Sequence, residues 1–157
     1  MFNYDYLAIA KRLIDHWRAA EALECIDKVD ERWEQDKRSL RIKALELNGN
    51  HKEAQDERIS WLYQSLNPEI YGEILKHSKP ESKESVRINA IKEAFAFSEP
   101  HTALAFLMQI QEFEEGTKFI YLRQDELDGG QYYILRPAAK LLQNTDVFAA
   151  TLLYGIR

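Results

Sequence analysis

Ala44-Leu45-Glu46-Leu47-Asn48-Gly49-Asn50-His51-Lys52-Glu53-Ala54 is the stretch on which the fold turns. Apolar residues at helical spacing run into Asn48-Gly49-Asn50, where glycine lets one helix end. Ala54 then stands where a small side chain lets the next helix pack closely against the first. The segment reads as the tight turn of an antiparallel helical hairpin. From Tyr4 onward, Tyr6, Ile9, Ala10, Leu13 and Trp17 form one apolar stripe, with Lys11, Arg12 and Asp15 off it. Ala19, Ala22, Leu23, Ile26 and Val29 form a second stripe, and the break near Trp17 and Arg18 is too short for anything except another hairpin. Trp17 is therefore expected to be buried at the turn, where these two helices and the following one converge. A shift of 34 residues sets Ala10 on Ala44, Leu13 on Leu47, Trp17 on His51 and Ala20 on Ala54, so the unit recurs. Small residues at these places also suit any unrelated helical hairpin, and that second reading stays open.

Beyond Trp61 the register of the repeat is lost while helix punctuation continues. Asn67-Pro68-Glu69 supplies an N-cap, a proline at the first helical position and an acid in the first turn, and so opens a short helix through Ile70, Tyr71, Ile74 and Leu75. Lys76 to Ser85 reads as a polar loop around Pro80. Further helices are expected over Val86 to Phe97, His101 to Phe113, Thr117 to Leu127, Gln131 to Leu142, and from Asp146 to the end. Pro137 predicts a kink in the fourth of these, or a later start. No stretch alternates with period two over a useful length, so no sheet is expected.

The 34-residue period is that of tetratricopeptide repeats. The expected architecture is all-α: stacked antiparallel helix hairpins in a tetratricopeptide-like right-handed solenoid, forming one helical-repeat domain over residues 1–157 with a soft boundary near 76–85. Several further stretches resemble a bacterial family of uncharacterised helical-repeat proteins, known only as a domain of unknown function. They are Ala103-Leu104-Ala105-Phe106-Leu107, Asp125-Glu126-Leu127-Asp128-Gly129 followed by Tyr132 and Tyr133, Pro137-Ala138-Ala139, and Ala149-Ala150-Thr151-Leu152-Leu153-Tyr154. The resemblance runs from about Trp61 to Tyr154, and more loosely over Ala44 to Ala54. It implies a tetratricopeptide-like scaffold and brings no catalytic residues with it. Similar proteins continue past the last of these stretches into a further helix with basic residues, whereas this chain stops at Gly155-Ile156-Arg157. The resemblance thus implies a truncated or divergent member.

Charge and composition narrow the function. With 21 Lys and Arg against 26 Asp and Glu, the net charge of -5 opposes a phosphate backbone, so no nucleic-acid partner is expected. The one locally basic run, Lys76, His77, Lys79, Lys83 and Arg87, is diluted by Glu81 and Glu84. It also lies far in sequence from Phe119, Tyr121, Tyr132 and Tyr133, whose helical spacing reads as core. Met1 to Arg12 has no basic start followed by an apolar run, and charged residues interrupt every apolar segment. Neither a secretory leader nor a membrane partner is expected. Cys25 stands alone on the inward side of its helix, as a small hydrophobe in a reducing compartment, and the chain is placed in the cytoplasm.

No residue pattern spells out catalysis. His16, His51, His77 and His101 are scattered, so no metal site is expected, and no loop suits a phosphate or an activated serine. Asp125 to Gly130 lacks the alternating acids of a calcium loop and reads as a helix end with a glycine turn. Glu112, Glu114 and Glu115 read as a solvated helix end. The leading expectation is thus a binding or scaffold module for a protein or peptide partner, with no cofactor and no catalytic residue. The alternatives are an enzyme assembled from dispersed residues, or a structural piece of a larger assembly. Val147, Phe148, Leu152, Leu153 and Ile156 continue an apolar stripe almost to the last residue without a capping signal. Phe148, Leu152, Leu153 and Ile156 are the expected interaction surface. They would be covered by a second copy, in a homodimer through the C-terminal helices, or by folding back onto the array.

Overall fold

A computed structural model describes the chain from Asn3 to Arg157, with side chains from Asp5 onward. Met1, Phe2 and the side chain of Tyr4, where the first stripe was drawn to open, lie outside the described residues. Among the described residues every regular element is helical. The ten α-helices are α1 (Asn3–Asp15), α2 (Ala19–Ile26), α3 (Glu34–Leu47), α4 (His51–Ser65), α5 (Pro68–His77), α6 (Lys83–Ala96), α7 (Pro100–Gln109), α8 (Phe113–Arg123), α9 (Tyr132–Leu142) and α10 (Val147–Gly155). Single 3-10 turns occupy Glu31–Trp33, Pro80–Ser82, Gln124–Glu126 and Gly129–Gln131.

The chain forms two compact units, Met1–Trp61 and Leu62–Arg157. Their division falls inside α4. The 76–85 stretch, expected to hold a soft boundary, is instead taken up by the end of α5, the Pro80 turn and the start of α6. Its lysines and glutamates are compatible with helix and simply face solvent.

In the first unit, Ala10, Ala22, Ile26 and Ala44 form a fully buried cluster on which Leu13, Ile14, Leu23, Cys25 and Leu40 pack. Ile42, Leu45 and Ala54 form another, with Trp61 against it. Alanine at these contacts lets helix backbones approach closely. The second stripe holds as read, with Ala19, Ala22, Ile26 and Val29 buried. The first is rotated from the expectation: Leu7 and Ala10 face inward, while Ile9 lies outside and Trp17 is 81% exposed.

Trp17 is exposed because of the turn it occupies. It adopts a left-handed backbone with φ of 60°. Its N–H donates to Ile14 O at 3.0 Å and the Arg18 N–H reaches back to Leu13 O at 2.8 Å, the paired bonds of a Schellman helix end. The α3–α4 turn repeats the pattern, with Gly49 at φ of 79° donating to Glu46 O and Asn50 donating to Leu45 O. In this register Trp17 matches Gly49 and Ala22 matches Ala54, an offset of 32 residues. The 34-residue shift is displaced by two, and Trp17 does not correspond to His51.

In the second unit the same bonds recur at Gln111, whose φ is 63°, with Glu112 reaching Leu107 O and Gly116 standing in the position of Ala22 and Ala54. A Cβ at Gly116 would lie 2.1 Å from the Met108 Cε, so the end of that flexible side chain fills the space the glycine leaves. Asn67 caps α5 as read, accepting the Glu69 N–H at 2.8 Å behind Pro68. The core holds Phe106 and Phe119, which meet Tyr71 and Phe95 edge to face at 5.8 and 5.5 Å. Helix α7 ends at Gln109, earlier than read, and α9 runs through Pro137 unbroken. Asp128 accepts the Gly130 N–H in a turn that also presents its own N–H to His101 Nε2. At Gly129 the backbone of Ile156 and Arg157 comes so close that a Cβ would sit 2.6 Å from the Ile156 O. Glu112 is mostly covered and held through two oxygens by Arg87, at 2.5 and 2.7 Å, not solvated as expected.

Candidate functional site

Two surfaces, one in each unit, carry side chains that the packing of their unit does not use. In the first unit, α1 ends beside α3 and α4 to leave a groove of about 540 Å³, lined by Ile14, Asp15, Trp17, Ile42, Lys43, Glu46, Leu47 and Arg58. Aliphatic side chains form much of its wall, and the Trp17 ring stands exposed at its edge. Arg58 is 5% exposed, the one charged residue among the buried side chains described. Its Nη1 donates to Glu46 Oε1 at 2.8 Å and to Gln55 Oε1 at 3.3 Å. The other Glu46 oxygen meets His51 Nδ1 at 2.5 Å. Burial works to raise the Glu46 pKa, but the bonds from His51 and Arg58 outweigh it and hold the carboxyl below its ordinary range. The groove therefore has a charged but internally neutralised floor and an apolar wall.

A bulky residue in the left-handed region is a strained choice, and strain of this kind gathers where a side chain must be presented. Of the two matching turns, one uses glycine and the other glutamine. Trp17→Gly relieves that strain while adding backbone freedom to the unfolded chain, so it should change the unfolding free energy by no more than about 1 kcal/mol. Urea titration followed by circular dichroism checks this; a loss several times larger would return the ring to the core.

The second surface lies on α10, which packs on α8 and α9. Of the four residues expected there, Phe148 is exposed and stacks on Tyr121, with ring centres 6.2 Å apart. Leu152 and Ile156 are half-buried and line a depression of about 330 Å³ with Phe148, Thr151, Gly155, Gln124 and Asp125. Leu153 is a correction: at 3% exposure it belongs to the core, because a turn of 100° per residue carries it away from Thr151. Val147, part of the stripe as read, is exposed, and so are Tyr121 and Tyr154, which sequence reasoning did not assign to the patch. The Tyr121 hydroxyl donates to Asp146 Oδ2 at 3.0 Å, and Gln143 Nε2 donates to the Tyr154 hydroxyl at 3.2 Å. Burial first, and the Asp146 carboxylate second, push the Tyr121 phenol above its usual pKa.

The aromatic set read as core divides. Phe119 is fully buried, whereas Tyr132 and Tyr133 are exposed and meet edge to face, with the Arg136 guanidinium over the Tyr132 ring. Among the described residues no three His, Cys, Asp or Glu side chains are grouped to hold a metal ion. No helix among them is long and apolar enough to cross a membrane.

The sequence profile of a family described as "Family of unknown function (DUF6880)" matches residues 5–155, which includes the N-terminal hairpins as well as the later stretches quoted above. No curated protein and no solved structure matches the chain.

Proposed function

From the premise that the chain belongs to this family of unknown function, DUF6880, we propose that it is a helical-repeat binding module of tetratricopeptide-like character, holding a segment of a partner protein without making or breaking bonds. The observation that carries the reading is the exposed Trp17 ring, fixed by a Schellman turn at the edge of a groove built from Ile14, Ile42 and Leu47. Tryptophan is enriched among the anchors of recognition surfaces, since it gives large contact area for little lost rotamer freedom. The ligand that fits is a peptide with an aliphatic or aromatic side chain to lie against the ring and wall. Lys43 and Asp15 at the lining offer one charge of each sign to its flanks. Supporting the repeat character is the turn itself, which recurs with the same hydrogen bonds at Trp17, Gly49 and Gln111. We place the module in the cytoplasm, where the lone Cys25 needs no disulfide partner.

A photo-crosslinking amino acid at position 43, on the lining of the same groove, in the wild-type and Trp17→Gly backgrounds, with capture from cell extract and mapping of the crosslinked peptide, tests the proposal. The expected result is one discrete partner, crosslinked through an apolar segment and absent from captures with Trp17→Gly. A set of captured proteins that Trp17→Gly leaves unchanged would overturn it.

A further inference from the structure

The start of α9 and the end of α10 enclose a cleft of about 310 Å³. Tyr132 and Arg136 line it from α9, one helical turn apart, and Tyr154 lines it from α10. Its base is apolar, because Leu135 and Leu153 are buried and Ile156 is half-buried. Gly129 stands at one end, in the turn that lies against the backbone of Ile156 and Arg157. The volume is at the small end of the roughly 300–1,000 Å³ of pockets that hold small ligands.

Every polar side chain of this lining can donate a hydrogen bond, and no carboxylate, side-chain amide or imidazole is among them. The Tyr154 hydroxyl accepts from Gln143 Nε2 at 3.2 Å, which leaves its own O–H to donate elsewhere. The Tyr132 hydroxyl has no hydrogen-bond partner among the described residues. Arg136 carries the charge. Its guanidinium lies 5.6 Å from the centre of the Tyr132 ring, which orients it without using its N–H groups. Arg38, Arg58, Arg87 and Arg123 each stand against a carboxylate, whereas Arg136 pairs with none among the described residues. In a chain with 26 acidic residues, a guanidinium left open beside an apolar cleft is a recognition group in waiting.

We propose that this cleft binds a small aromatic carboxylate, its carboxylate on Arg136 and its ring against Tyr132 and Tyr154. Charge sets the head group. A donor-only lining repels cations, and the planar guanidinium matches a carboxylate with two parallel hydrogen bonds. The lining holds a single cation and the chain a net charge of -5, so a phosphate dianion would be left under-neutralised. The walls set the body. Two tyrosine rings over an apolar base suit a flat ring, which stacks or meets them edge to face, while a hydroxyl-rich body would find no side-chain carboxylate or amide to accept its protons. The cleft lies wholly in the second unit and shares no residue with the Trp17 groove, so either reading can fail alone.

Titration of isotope-labelled protein with phenylacetate, followed through its amide resonances, gives the test. The expected shifts fall on Gly129, Leu135 and Leu153 and saturate with a Kd below about 1 mM. Phenylacetamide keeps the shape and removes the charge, and acetate keeps the charge and removes the ring; each should bind at least about tenfold more weakly. Arg136→Gln should weaken phenylacetate by about tenfold or more while leaving the weaker phenylacetamide binding where it was, a selectivity that general damage to the cleft would not give. Its helical circular dichroism should match the wild type, since Arg136 is exposed. The proposal is overturned by a titration without saturable shifts at these amides, or by phenylacetamide, acetate or the Arg136→Gln protein performing as well as phenylacetate on the wild type. Phenyl phosphate binding more tightly than phenylacetate would overturn the choice of a carboxylate.

Discussion

Phe119→Ala should lower the unfolding free energy by about 3–5 kcal/mol, among the largest losses any single truncation in the chain would produce. Phe119 has no exposed surface. Its ring meets Phe95 edge to face at 5.5 Å, and the Arg123 guanidinium lies 5.4 Å from its centre. Arg123 in turn donates to the carbonyls of Phe95 and Phe97 and pairs with Glu126. Removing the ring leaves a cavity and deprives the guanidinium of the surface it rests on, so the contact between α6 and α8 loses two supports at once. Phe119→Leu, which keeps most of the volume, should cost clearly less. Urea unfolding followed by far-ultraviolet circular dichroism measures both. Trp17, Trp33 and Trp61, the chain's three tryptophans, all lie in the first unit, so their fluorescence does not report this change directly.

Arg58→Leu should cost about 3 kcal/mol, and here tryptophan fluorescence is the right probe, because Trp61 packs against the buried Ile42, Leu45 and Ala54 cluster of the same unit. The physical cause differs from that of a cavity. The substitution takes the guanidinium from one oxygen of the half-covered Glu46 carboxylate and leaves His51 at the other, in a place where burial already opposes its charge. Leucine at position 58 with Glu46→Leu should recover much of the loss, since an apolar pair of similar volume carries no desolvation penalty. The pH dependence follows from the sign of the Glu46 shift. Its folded pKa is depressed, so the stabilisation is complete above the unfolded value of about 4.3 and is lost as pH falls through the lower folded value. Arg58→Leu should flatten that acid limb. A variant that unfolds at the wild-type midpoint, with an unchanged acid limb, would show that the pair contributes nothing.

Both effects depend on residues whose importance was invisible along the chain. Phe119 was one of four aromatics read alike as core, yet Tyr132 and Tyr133 of the same set face solvent. Arg58 stood among ordinary helix charges. Its burial comes from the meeting of α1, α3 and α4 around one groove, which no local pattern encodes.

The sequence by itself determined the helical class, the capped start of α5 at Asn67-Pro68-Glu69, the hairpin turn at Gly49 and the inward face of α2. Each of these is a local matter: helix periodicity, capping and glycine's tolerance of positive φ act within a few residues. Tertiary structure alone decided the rest. The turns at Trp17 and Gln111 share the hydrogen bonds of Gly49 but carry no glycine, because packing of the flanking helices can absorb the roughly 1–2 kcal/mol that a left-handed residue costs. That hidden equivalence sets the two matching turns 32 residues apart, not 34, and places Trp17 at an exposed turn. It also decided which side of α10 faces out, burying Leu153 and exposing Val147 and Tyr154, since an all-apolar helix has no polar face to mark its orientation and only the helices it packs on can choose one.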